Sequence, residues 1–587
     1  MPSFAAQQCL FRAYDIRGSR QHFTTAFVQA LGNAFAHLYL KSPSTLDQAD
    51  SNNSLPGQKH STPDITVVIG YDVRDGSNTI AQTLSSILAQ YGIHVVQLGL
   101  VTTPMMVFWA EQYQGHGIIA TASHSAKDIL GIKWMMNHLS PSSTEIQTLY
   151  EKLSSNDGQT SNTRPSNDLA PPLSTEQVIT GYTDAIKHVL TQLYPHDIGN
   201  DQRRTKGNHL SSPKLDLVIV IDCMHGATST TAKQLFKYFC QSVMVLNDTP
   251  NGSFPDGNPD PTEPNRLQEL QQKVLVNQAD LGLAFDGDGD RLIVVNEMGS
   301  TVRPDHLLYL LAQTALNGVT NESDQPASSQ VLFDIKCSHH LPKLLTKLGA
   351  VPVMSKTGSS LMRRQIHNSE QQIIFAGELS GHFIFNDGRF IAYDDAMYAA
   401  LRLLHWLADS DFHQGKTALT DITHRLPTLI STADHYLPMP QASLSGYSLV
   451  TQLTQLCQDL QQLVDKSNDT SSINASDALY SLHSCQNNDE SSPFCTCDCP
   501  ESDRLLTIEH ARYLLPLGAT LSTIDGLRID FDHGFGVLRQ SNTSNNLTAR
   551  FAGDSIEALR DIQDRFAALC RPFDKRLAEQ ITAIPAE

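Results

Sequence analysis

Short apolar runs alternate with amphipathic segments along most of the chain. Ile65–Gly70 is rich in β-branched residues and ends at a turn, and a helical pattern follows it over 77–91. Further apolar runs over 94–98 and 117–120 predict two more short strands. Strands of this length, separated by amphipathic helices, are typical of parallel sheets that helices cover on both faces.

The same alternation returns later and then gives way to a different pattern. Strands are predicted over 215–222, 280–284 and 331–334. From about Asp434 the pattern predicts an α+β block, with strands near 527–531, 536–539 and 547–551 and a terminal helix from about Ser555. We therefore predict an α/β protein with three similar mixed-sheet domains and a C-terminal α+β domain. The predicted domains are 1–172, 173–302, 303–432 and 433–587, with no clean sequence repeat among the first three.

Four polar stretches interrupt these blocks. They are rich in Ser, Asn, Asp, Gln and Pro, and they lie at about 41–64, 154–175, 196–213 and 465–503. Segments so poor in large apolar residues cannot offset the entropy of ordering. We interpret them as insertions or linkers.

The overall composition restricts the partners and the compartment. The 587 residues carry a formal net charge of −19, which argues against nucleic acid and anionic membranes as partners. No apolar run approaches the roughly 18 residues of a membrane span, and Met1–Gln8 lacks the regions of a secretory signal. Ten cysteines are too sparse for a disulfide scaffold, so we expect reduced thiols and a cytoplasmic location.

Four of the cysteines lie in the last polar stretch, at Cys485, Cys495, Cys497 and Cys499. They offer enough thiolates for a zinc ion. However, the C-x-C-x-C spacing is poor for a zinc knuckle, and no histidine pair follows it. We favour thiols without a metal.

A loop of alternating carboxylates carries the strongest chemical signal. Asp286, Asp288 and Asp290 are separated only by glycines, and predicted strands flank the loop. The glycines permit positive φ, which would let the carboxylates turn toward one point. Their mutual repulsion requires a hard divalent cation such as Mg²⁺. An EF-hand also matches the spacing through Glu297, but Arg291 stands where that loop needs glycine; a solvated acidic turn is the other alternative.

A serine between small residues offers a second chemical group. Thr121-Ala122-Ser123-His124 follows the predicted strand over 117–120. The serine–histidine pair suggests a hydrolase nucleophile, but the G-x-S-x-G elbow is absent and adjacent residues rarely form a catalytic pair. A serine that carries a phosphoryl group needs a cation nearby. Together the two loops indicate a phosphoryl-transfer enzyme with a covalent phosphoserine.

Five motifs resemble those of the α-D-phosphohexomutases, within them the phosphomannomutase/phosphoglucomutase group. They occur in the family's order and cover most of the chain outside the polar stretches. They are the N-terminal signature 11–18 (FRAYDIRG), the phosphoserine loop 121–133, the metal loop 286–291, the sugar-binding loop 377–382 (GELSGH) and the C-terminal phosphate loop 539–543 (RQSNT).

The resemblance implies a fold of four domains around a central cleft and a defined reaction. A phosphoserine at Ser123 would pass its phosphoryl group to a hexose 1- or 6-phosphate. The bound hexose 1,6-bisphosphate would turn over and return its other phosphate to Ser123. The resemblance also implies one Mg²⁺ per chain, hexose 1,6-bisphosphate as an activator, a phosphosugar substrate as the partner, and a monomer or weak homodimer.

The resemblance assigns roles to individual residues. The expected catalytic residues are Ser123, His124, Lys133, Arg17 and His382. The expected substrate-binding residues are Tyr14, Arg291, Lys356, Glu378, Ser380, Arg539, Ser541, Asn542 and Thr543. The expected metal ligands are Ser123, Asp286, Asp288 and Asp290. Arg17, Lys133 and Arg291 would neutralise the moving phosphoryl group, and Arg539 with its neighbours would hold the phosphate that is not reacting.

The sugar loop favours one subgroup. Leu379 cannot hydrogen-bond to a 2-amino or 2-hydroxyl group, so we expect both mannose and glucose phosphates to react. The alternatives are a phosphoglucosamine mutase, a non-catalytic sugar-phosphate-binding protein and a metal-dependent phosphatase.

Several positions depart from the family's usual residues. Ser125-Ala126 replace Asn-Pro after the histidine, Leu130 replaces Asn, and Ser359 replaces His. Met224-His225 interrupt a glycine-rich signature, and Ser544-Asn545 replace Thr-Pro. None of these changes removes the phosphoacceptor or the metal ligands, although lower activity or altered specificity would be compatible with them.

Overall fold

The computed structural model describes residues 4–41, 65–154, 172–194, 214–317, 329–369, 372–408, 418–438, 446–469, 480–481, 505–506, 508–540 and 546–586. Most of the predicted polar stretches and the cysteine cluster at 485–499 lie outside these residues. The chain divides into two compact units. The first is Met1–Leu332, Leu345–Pro352 and Gly358–Arg425; the second is Phe333–Leu344, Val353–Thr357 and Leu426–Glu587. Among the described residues, no helix has the length and apolar character needed to cross a membrane.

The first sheet contains five strands. They are β1 (Ile16–Ser19), β2 (Thr66–Tyr71), β3 (His94–Leu100), β4 (Gly117–Ala120) and β5 (Ile129–Met135), in the order β1-β5-β4-β2-β3. β2 is parallel to β3 and β4, whereas β5 is antiparallel to β4 and β1. The helices of this region are α1 (Thr25–Leu40), α2 (Ser77–Gln90), α3 (Thr103–Glu111) and α4 (Ser143–Ser154). The apolar faces of α1, α2 and α4 share one buried core with the sheet.

Two further sheets have four strands each. The second contains β6 (Leu215–Asp222), β7 (Cys240–Leu246), β8 (Leu281–Phe285) and β9 (Leu292–Asn296), in the order β7-β6-β8-β9. The third contains β10 (Gln330–Asp334), β11 (Val351–Ser355), β12 (Ile373–Gly377) and β13 (Phe383–Phe385), in the order β11-β10-β12-β13. Helices α5 (Thr175–Leu193), α6 (Ala232–Phe239), α7 (Gln268–Val276), α8 (Pro304–Asn317), α9 (Leu341–Lys347), α10 (Ser359–Asn368), α11 (Ala396–Ala408) and α12 (Leu419–Thr423) accompany them.

These three sheets share a single topology. Strands β3-β2-β4-β5, β7-β6-β8-β9 and β11-β10-β12-β13 follow the same order, and the last strand of each set is antiparallel to its neighbour. The predicted three α/β mixed-sheet blocks are thereby confirmed. The strand pattern alone suggested parallel sheets, and β5, β9 and β13 are the strands for which that expectation is wrong. Each forms a hairpin-like pair with the strand before it.

The second compact unit is built on an antiparallel sheet. Its strands are β14 (Ile430–Ser431), β15 (His435–Pro438), β18 (Thr520–Ser522), β19 (Leu527–Phe531), β20 (Gly534–Gln540) and β21 (Asn546–Gly553), while β16 (Tyr480–Ser481) pairs with β17 (Leu505–Leu506). Its helices are α13 (Gly446–Asp469), α14 (Ile508–Leu514), α15 (Ile556–Cys570) and α16 (Lys575–Thr582). The predicted α+β character is confirmed.

The last polar stretch begins later than the sequence pattern indicates. Its predicted start at 465 falls inside α13, which continues to Asp469. Leu460 and Val464, just before that start, are buried in the core of this unit.

Candidate active site

Ser123 occupies a strained and buried position just after β4. Its φ angle is +52°, in the left-handed region that a non-glycine residue rarely adopts. Its backbone N–H donates to Thr121 Oγ1 at 3.0 Å, and only 2% of the residue is exposed. Backbone strain of this kind persists only where the surrounding structure holds the residue in place, and it is concentrated at functional sites.

The carboxylate loop connects the antiparallel strands β8 and β9. Oδ1 of Asp286 accepts hydrogen bonds from the backbone N–H groups of Gly289, Asp290 and Arg291, at 3.0, 3.1 and 3.2 Å. This carboxylate therefore fixes the loop that carries the other two aspartates. Flanking strands, rather than helices, exclude the EF-hand alternative.

The two glycines of the loop meet different requirements. Gly289 has a φ of +77°, as expected, but Gly287 does not have a positive φ. A Cβ atom at Gly287 would lie 2.5 Å from the carbonyl oxygen of Ser123. The expectation of positive φ at Gly287 is wrong, because this glycine instead allows the two loops to approach closely.

The structure brings the serine and the carboxylates together. Ser123 Oγ donates a hydrogen bond of 2.7 Å to Asp286 Oδ2. Asp286, Asp288 and Asp290 are buried, and one oxygen from each lies within 4.8 Å of the others. Burial, followed by the charges of Asp290 and Asp288, raises the pKa of Asp286 well above its ordinary value.

Two of these carboxylates retain an oxygen without a hydrogen bond. Asp288 Oδ1 and Asp290 Oδ1 are buried and have no hydrogen-bond partner. A buried, unpaired carboxylate oxygen is costly. Hard oxygen donors clustered in this way suit a divalent cation such as Mg²⁺, so the residues present fit the cation that the sequence implies.

Lys133 on β5 neutralises part of the acidic cluster. Its Nζ donates to Asp288 Oδ2 at 2.8 Å and to Asp290 Oδ2 at 2.6 Å. Burial disfavours the ammonium, but the two carboxylates outweigh that effect and raise the pKa of Lys133. The side chain is therefore a cation at neutral pH rather than a base.

His124 lies against the serine with different chemistry. Its Nδ1 is 3.2 Å from Ser123 Oγ. Burial, with the nearby charges of Arg291, Arg17 and Lys133, lowers the pKa of His124 well below its ordinary value. The imidazole is therefore neutral at pH 7 and can accept a proton.

Arg17 and Arg291 approach the same loops from separate elements. Arg17 Nη1 donates to Ser125 Oγ at 3.2 Å, while its Nε donates to Asp15 at 2.8 Å. Arg291 Nε lies 4.0 Å from Asp286 Oδ2. Cations from β1 and from the carboxylate loop thus lie beside Ser125 and Asp286, the neighbours of Ser123.

His382 lies next to Arg291 and the carboxylate loop. Its Nε2 accepts a hydrogen bond of 3.1 Å from Arg291 Nε, and its Nδ1 is 2.9 Å from Asp394 Oδ2. Burial opposes protonation, but the charges of Asp290 and Asp394 outweigh it and raise the pKa of His382. The ring is held at both nitrogens and can exchange a proton at Nε2.

The other residues of the predicted sugar loop also belong to the first unit. Glu378 is buried, accepts a hydrogen bond from the backbone N–H of Gly358, and accepts one from Ser380 Oγ at 3.2 Å. Gly358 leaves space for the ring of Tyr14, which a Cβ atom would meet at 3.0 Å. Ser359, which stands in place of the family's histidine, accepts from Arg363 at 3.0 Å.

The predicted phosphate-binding residues lie in the second unit. Arg539 is buried on β20, pairs with Asp525 at 3.4 Å, and has no hydrogen-bond partner for its Nε. The backbone N–H of Thr357 also donates to Asp525, at 3.4 Å, and Lys356 beside it is exposed. Ser541, Asn542 and Thr543 lie outside the described residues.

Sequence reasoning missed the residue that holds the loop of Ser123. Arg74 is buried, pairs with Asp72 at 3.1 Å, and donates to the carbonyl oxygens of Ser123 at 2.7 Å and Ala126 at 2.6 Å. Asp72 in turn accepts from Thr121 Oγ1 at 2.8 Å. The available signal was a run of charged residues directly after β2, which lies beside β4 in a parallel pair.

Sequence reasoning also missed Thr103, at the start of α3. Its Oγ1 donates to Asp288 Oδ2 at 2.5 Å, and its backbone N–H donates to the carbonyl of Asp288 at 2.9 Å. This threonine therefore fixes the middle carboxylate of the loop. No motif distinguishes it in sequence from an ordinary residue at a helix N-terminus.

One departure from the family pattern carries a local cost. Met224 and His225 have φ angles of +48° and +56°, where the family usually has glycine and asparagine. Their turn is held because Asp222 Oδ1 accepts from the backbone N–H of Met224 at 2.8 Å. Gly226, which follows, approaches the backbone of Gly287 so closely that a Cβ would lie 2.7 Å from its carbonyl oxygen.

This combination of three repeated α/β sheets, an α+β unit and a strained serine beside buried carboxylates defines the class of the protein. Sequence profiles described as phosphoglucomutase/phosphomannomutase α/β/α domains I, II and III match residues 53–159, 194–299 and 303–428. A phosphomannomutase/phosphoglucomutase from Pseudomonas syringae pv. tomato is 30% identical over 560 residues, covering 95% of this chain and 94% of that protein. The chain belongs to the phosphoglucomutase/phosphomannomutase family.

Other relatives agree with that assignment. A phosphoglucomutase from Neisseria gonorrhoeae is 28% identical over 505 residues, covering 86% of this chain and 88% of that protein. The crystal structure of a phosphoglucomutase/phosphomannomutase family protein from Burkholderia thailandensis superposes with a TM-score of 0.67. That structure is 26% identical and covers 99% of both chains.

Proposed function

We propose that this protein is a phosphohexomutase that interconverts hexose 6-phosphate and hexose 1-phosphate, with mannose and glucose as its sugars. The observation that carries the proposal is the 2.7 Å hydrogen bond between Ser123 Oγ and Asp286, in a cluster of three buried carboxylates. The similar proteins named phosphomannomutase/phosphoglucomutase and phosphoglucomutase support it.

The reaction begins with a phosphoryl group on Ser123. A hydroxyl of the hexose monophosphate attacks that group, the bond from phosphorus to Ser123 Oγ breaks, and a hexose 1,6-bisphosphate forms. After the bisphosphate turns over, Ser123 Oγ attacks the other phosphate. The new serine–phosphorus bond forms as the sugar–oxygen bond to that phosphorus breaks, which regenerates the phosphoserine and releases the isomer.

The protons are assigned to groups that touch the reacting atoms. When Ser123 attacks, neutral His124 is the candidate acceptor of its hydroxyl proton. That proton must first turn from Asp286 Oδ2, its partner at 2.7 Å, to His124 Nδ1, which lies 3.2 Å from Oγ. The sugar oxygen that leaves takes up a proton, for which protonated Lys133 and His382 are the candidates. In the first transfer the same groups act in reverse: the attacking sugar hydroxyl gives its proton to the candidate that later returns it, and Ser123 Oγ takes up the proton that it later gives away. Arg17 and Arg291 supply fixed positive charge where the phosphoryl group moves.

Asp286, Asp288 and Asp290, with the phosphoserine, would hold one Mg²⁺, which would neutralise the charge that builds up during transfer. The chain itself holds Ser123 and the three carboxylates in fixed positions relative to one another. Thr103 and Lys133 do so at Asp288, and the three backbone N–H donors do so at Asp286.

Substrate recognition rests on two sets of residues. Glu378 and Ser380 would bind sugar hydroxyls, and Leu379 leaves the C2 position without a polar contact. Arg539, with Ser541, Asn542 and Thr543, would bind the phosphate that is not reacting, and Tyr14 and Lys356 would assist. Trace hexose 1,6-bisphosphate would activate the enzyme by phosphorylating Ser123.

An assay of three substrates tests this function. Mannose, glucose and glucosamine 1-phosphates are incubated with Mg²⁺ and trace glucose 1,6-bisphosphate, and the 6-phosphates and inorganic phosphate are measured. We expect mannose and glucose phosphates to isomerise without net phosphate release. Faster turnover of glucosamine 1-phosphate than of both would indicate the amino-sugar mutase, and steady release of phosphate would indicate a phosphatase.

A pair of serine variants tests the phosphoacceptor. Ser123→Ala is expected to reduce turnover to background and to remove the phosphorylated species from the intact-mass spectrum. Ser125→Ala changes the neighbouring hydroxyl and is expected to keep the phosphorylation. Near-wild-type turnover by Ser123→Ala would refute the mechanism.

A further inference from the structure

Two histidines and an aspartate converge in the second compact unit, in a cluster that the proposed reaction does not use. His340 Nε2 lies 2.7 Å, and His339 Nε2 lies 3.4 Å, from Asp554 Oδ1. One donor atom from each residue lies within 4.8 Å of the others. We propose that His339, His340 and Asp554 form a binding site for Zn²⁺.

The state of His339 is a second, independent indication of a ligand. The residue is only 8% exposed, and neither of its ring nitrogens makes a hydrogen bond. Its Nε2 points toward Asp554 at a distance longer than a normal hydrogen bond to nitrogen. A buried imidazole with both nitrogens unsatisfied is costly, and a metal at Nε2 would relieve part of that cost.

The local backbone holds the three donors in place. The N–H of His340 donates to Ser338 Oγ at 3.1 Å, which fixes the turn that carries both histidines. Asp554 follows directly after β21, and its N–H donates to the carbonyl of His533 at 2.9 Å. The ring of Phe535 lies beside His339, with centroids 6.2 Å apart. The donors are therefore set by two separate segments of one unit.

The charges around the cluster suit a cation. The cluster places one carboxylate, that of Asp554, against two imidazoles, and the imidazole of His339 is buried. Arg528, a cation that acts on His339, is paired with Asp530 at 2.6 Å and donates to the carbonyl of Cys337 at 2.8 Å. Its charge is thus already compensated.

The donor set selects the metal. Two imidazoles and one carboxylate suit Zn²⁺, whereas Mg²⁺ prefers oxygen donors alone. Zinc bonds of roughly 2.0–2.1 Å place tetrahedral ligands about 3.3 Å apart, close to the separation of His339 and Asp554. The side chains of Asp554 and His340 are 40% and 20% exposed, so water can reach the fourth position.

The proposed zinc would join segments that are far apart in sequence. His339 and His340 belong to Phe333–Leu344, and Asp554 follows β21, yet all three lie in the second unit. A metal that binds the folded arrangement better than the unfolded chain stabilises it. Zn²⁺ would therefore act as a clamp on this unit, separate from the carboxylate loop and its Mg²⁺.

Metal titration of the full-length protein tests the site. The chain is stripped with EDTA, kept in excess Mg²⁺ so that the carboxylate loop is saturated, and titrated with Zn²⁺ against a chromophoric chelator. We expect His340→Gln and Asp554→Asn each to lower the affinity for one bound Zn²⁺ by about 10–100-fold or more. Losses of that size are typical even of residues that only hold a metal ligand in place. His533→Gln is the matched control, since that ring contacts Asp561 at 3.0 Å and lies outside the cluster.

Two further readouts decide between this site and adventitious binding. X-ray absorption at the zinc edge is expected to show two imidazole ligands in the wild type, and zinc is expected to raise the thermal midpoint of the wild type and of His533→Gln only. Circular dichroism confirms that each variant is folded. Zinc binding of equal strength in the wild type and in both cluster variants would overturn the proposal, as would a zinc centre without imidazole.

Discussion

Arg74 donates a hydrogen bond of 2.7 Å to the carbonyl oxygen of Ser123, across 49 residues of sequence. The same guanidinium donates to the carbonyl of Ala126 at 2.6 Å, so one buried side chain holds both sides of the loop bend. The chain has Ser125-Ala126 where its family usually has Asn-Pro. Without that proline the loop has less backbone stiffness of its own, which increases its dependence on Arg74.

Arg74→Lys is therefore expected to lower kcat on the order of 100-fold, the cost of misplacing a reacting group by about 1 Å. Lysine keeps the charge next to Asp72 but cannot span several carbonyls as the planar guanidinium does. The measurement is kcat at saturating substrate, with urea unfolding as the check on folding.

Arg20→Lys is the control for that experiment. Arg20 also donates to this loop, at the carbonyl of Lys127, but its side chain is 39% exposed. It is expected to keep kcat within a factor of about two or three, because an exposed pair contributes little. Equal losses in the two variants would contradict a specific role for Arg74.

The sequence predicts the residues of the candidate site better than it predicts the residues that hold them in place. The serine, the aspartates and the cations lie in short motifs whose chemistry is readable from residue types and spacing. Arg74 and Thr103 act through contacts across 49 and 185 residues, and such contacts exist only after the sheets have formed. Knowing which loops become neighbours requires the strand order.

The fold shows the same division. The boundaries of β4 and β6 match the predicted 117–120 and 215–222, because their apolar runs end at polar turns. The direction of β5, β9 and β13 was not predictable from those runs. A buried strand can have the same apolar sequence pattern whether it runs parallel or antiparallel to its neighbour. Likewise α13 continues to Asp469, beyond the predicted start of the polar stretch at 465.

Gly287→Ala is expected to lower kcat on the order of 100-fold or more with modest loss of stability. The added Cβ would lie 2.5 Å from the carbonyl oxygen of Ser123 and 3.0 Å from Pro259, so the two loops must separate. Gly92→Ala is the control, because Gly92 also has a special backbone conformation, with φ of +79°, but open space around it. That variant is expected to cost about 1–2 kcal/mol in urea unfolding and to leave kcat unchanged; a matching loss of kcat there would refute the steric argument.

Lys133→Met is expected to have opposite effects on metal affinity and on activity. Removal of the ammonium leaves Asp288 and Asp290 without their cation at 2.8 and 2.6 Å. The metal-free protein should lose about 3–5 kcal/mol of stability, as for other broken buried pairs. Mg²⁺ should then stabilise the variant more than it stabilises the wild type, while kcat falls.

Thermal unfolding with and without Mg²⁺ measures that difference, and Lys133→Arg, which keeps the positive charge, is the matched control. The arginine variant is expected to remain close to the wild type in its Mg²⁺ response. A smaller Mg²⁺-dependent shift in Lys133→Met than in the wild type would show that the lysine does not share the carboxylates with the metal.

His116 is expected to make the first unit sensitive to mild acid. Its Nδ1 accepts the backbone N–H of Asn137 at 3.1 Å, and the residue is 5% exposed. Burial, with a smaller effect of His138, lowers the pKa of His116 from 6.5 to about 4. Between these two pH values the imidazole binds a proton in the unfolded chain but not in the folded one. Stability therefore falls as the pH drops from about 6.5 to about 4.

His116→Asn isolates this contribution, because the asparagine carbonyl can accept the same N–H without titrating. Between pH 7.5 and pH 4.5 the wild type should lose about 1–2 kcal/mol more unfolding free energy than the variant. Urea unfolding at both pH values measures the two losses. Equal losses of unfolding free energy in the wild type and in the variant would show that the imidazole takes up its proton as readily in the folded state as in the unfolded chain. Carboxylates elsewhere would then account for the acid sensitivity.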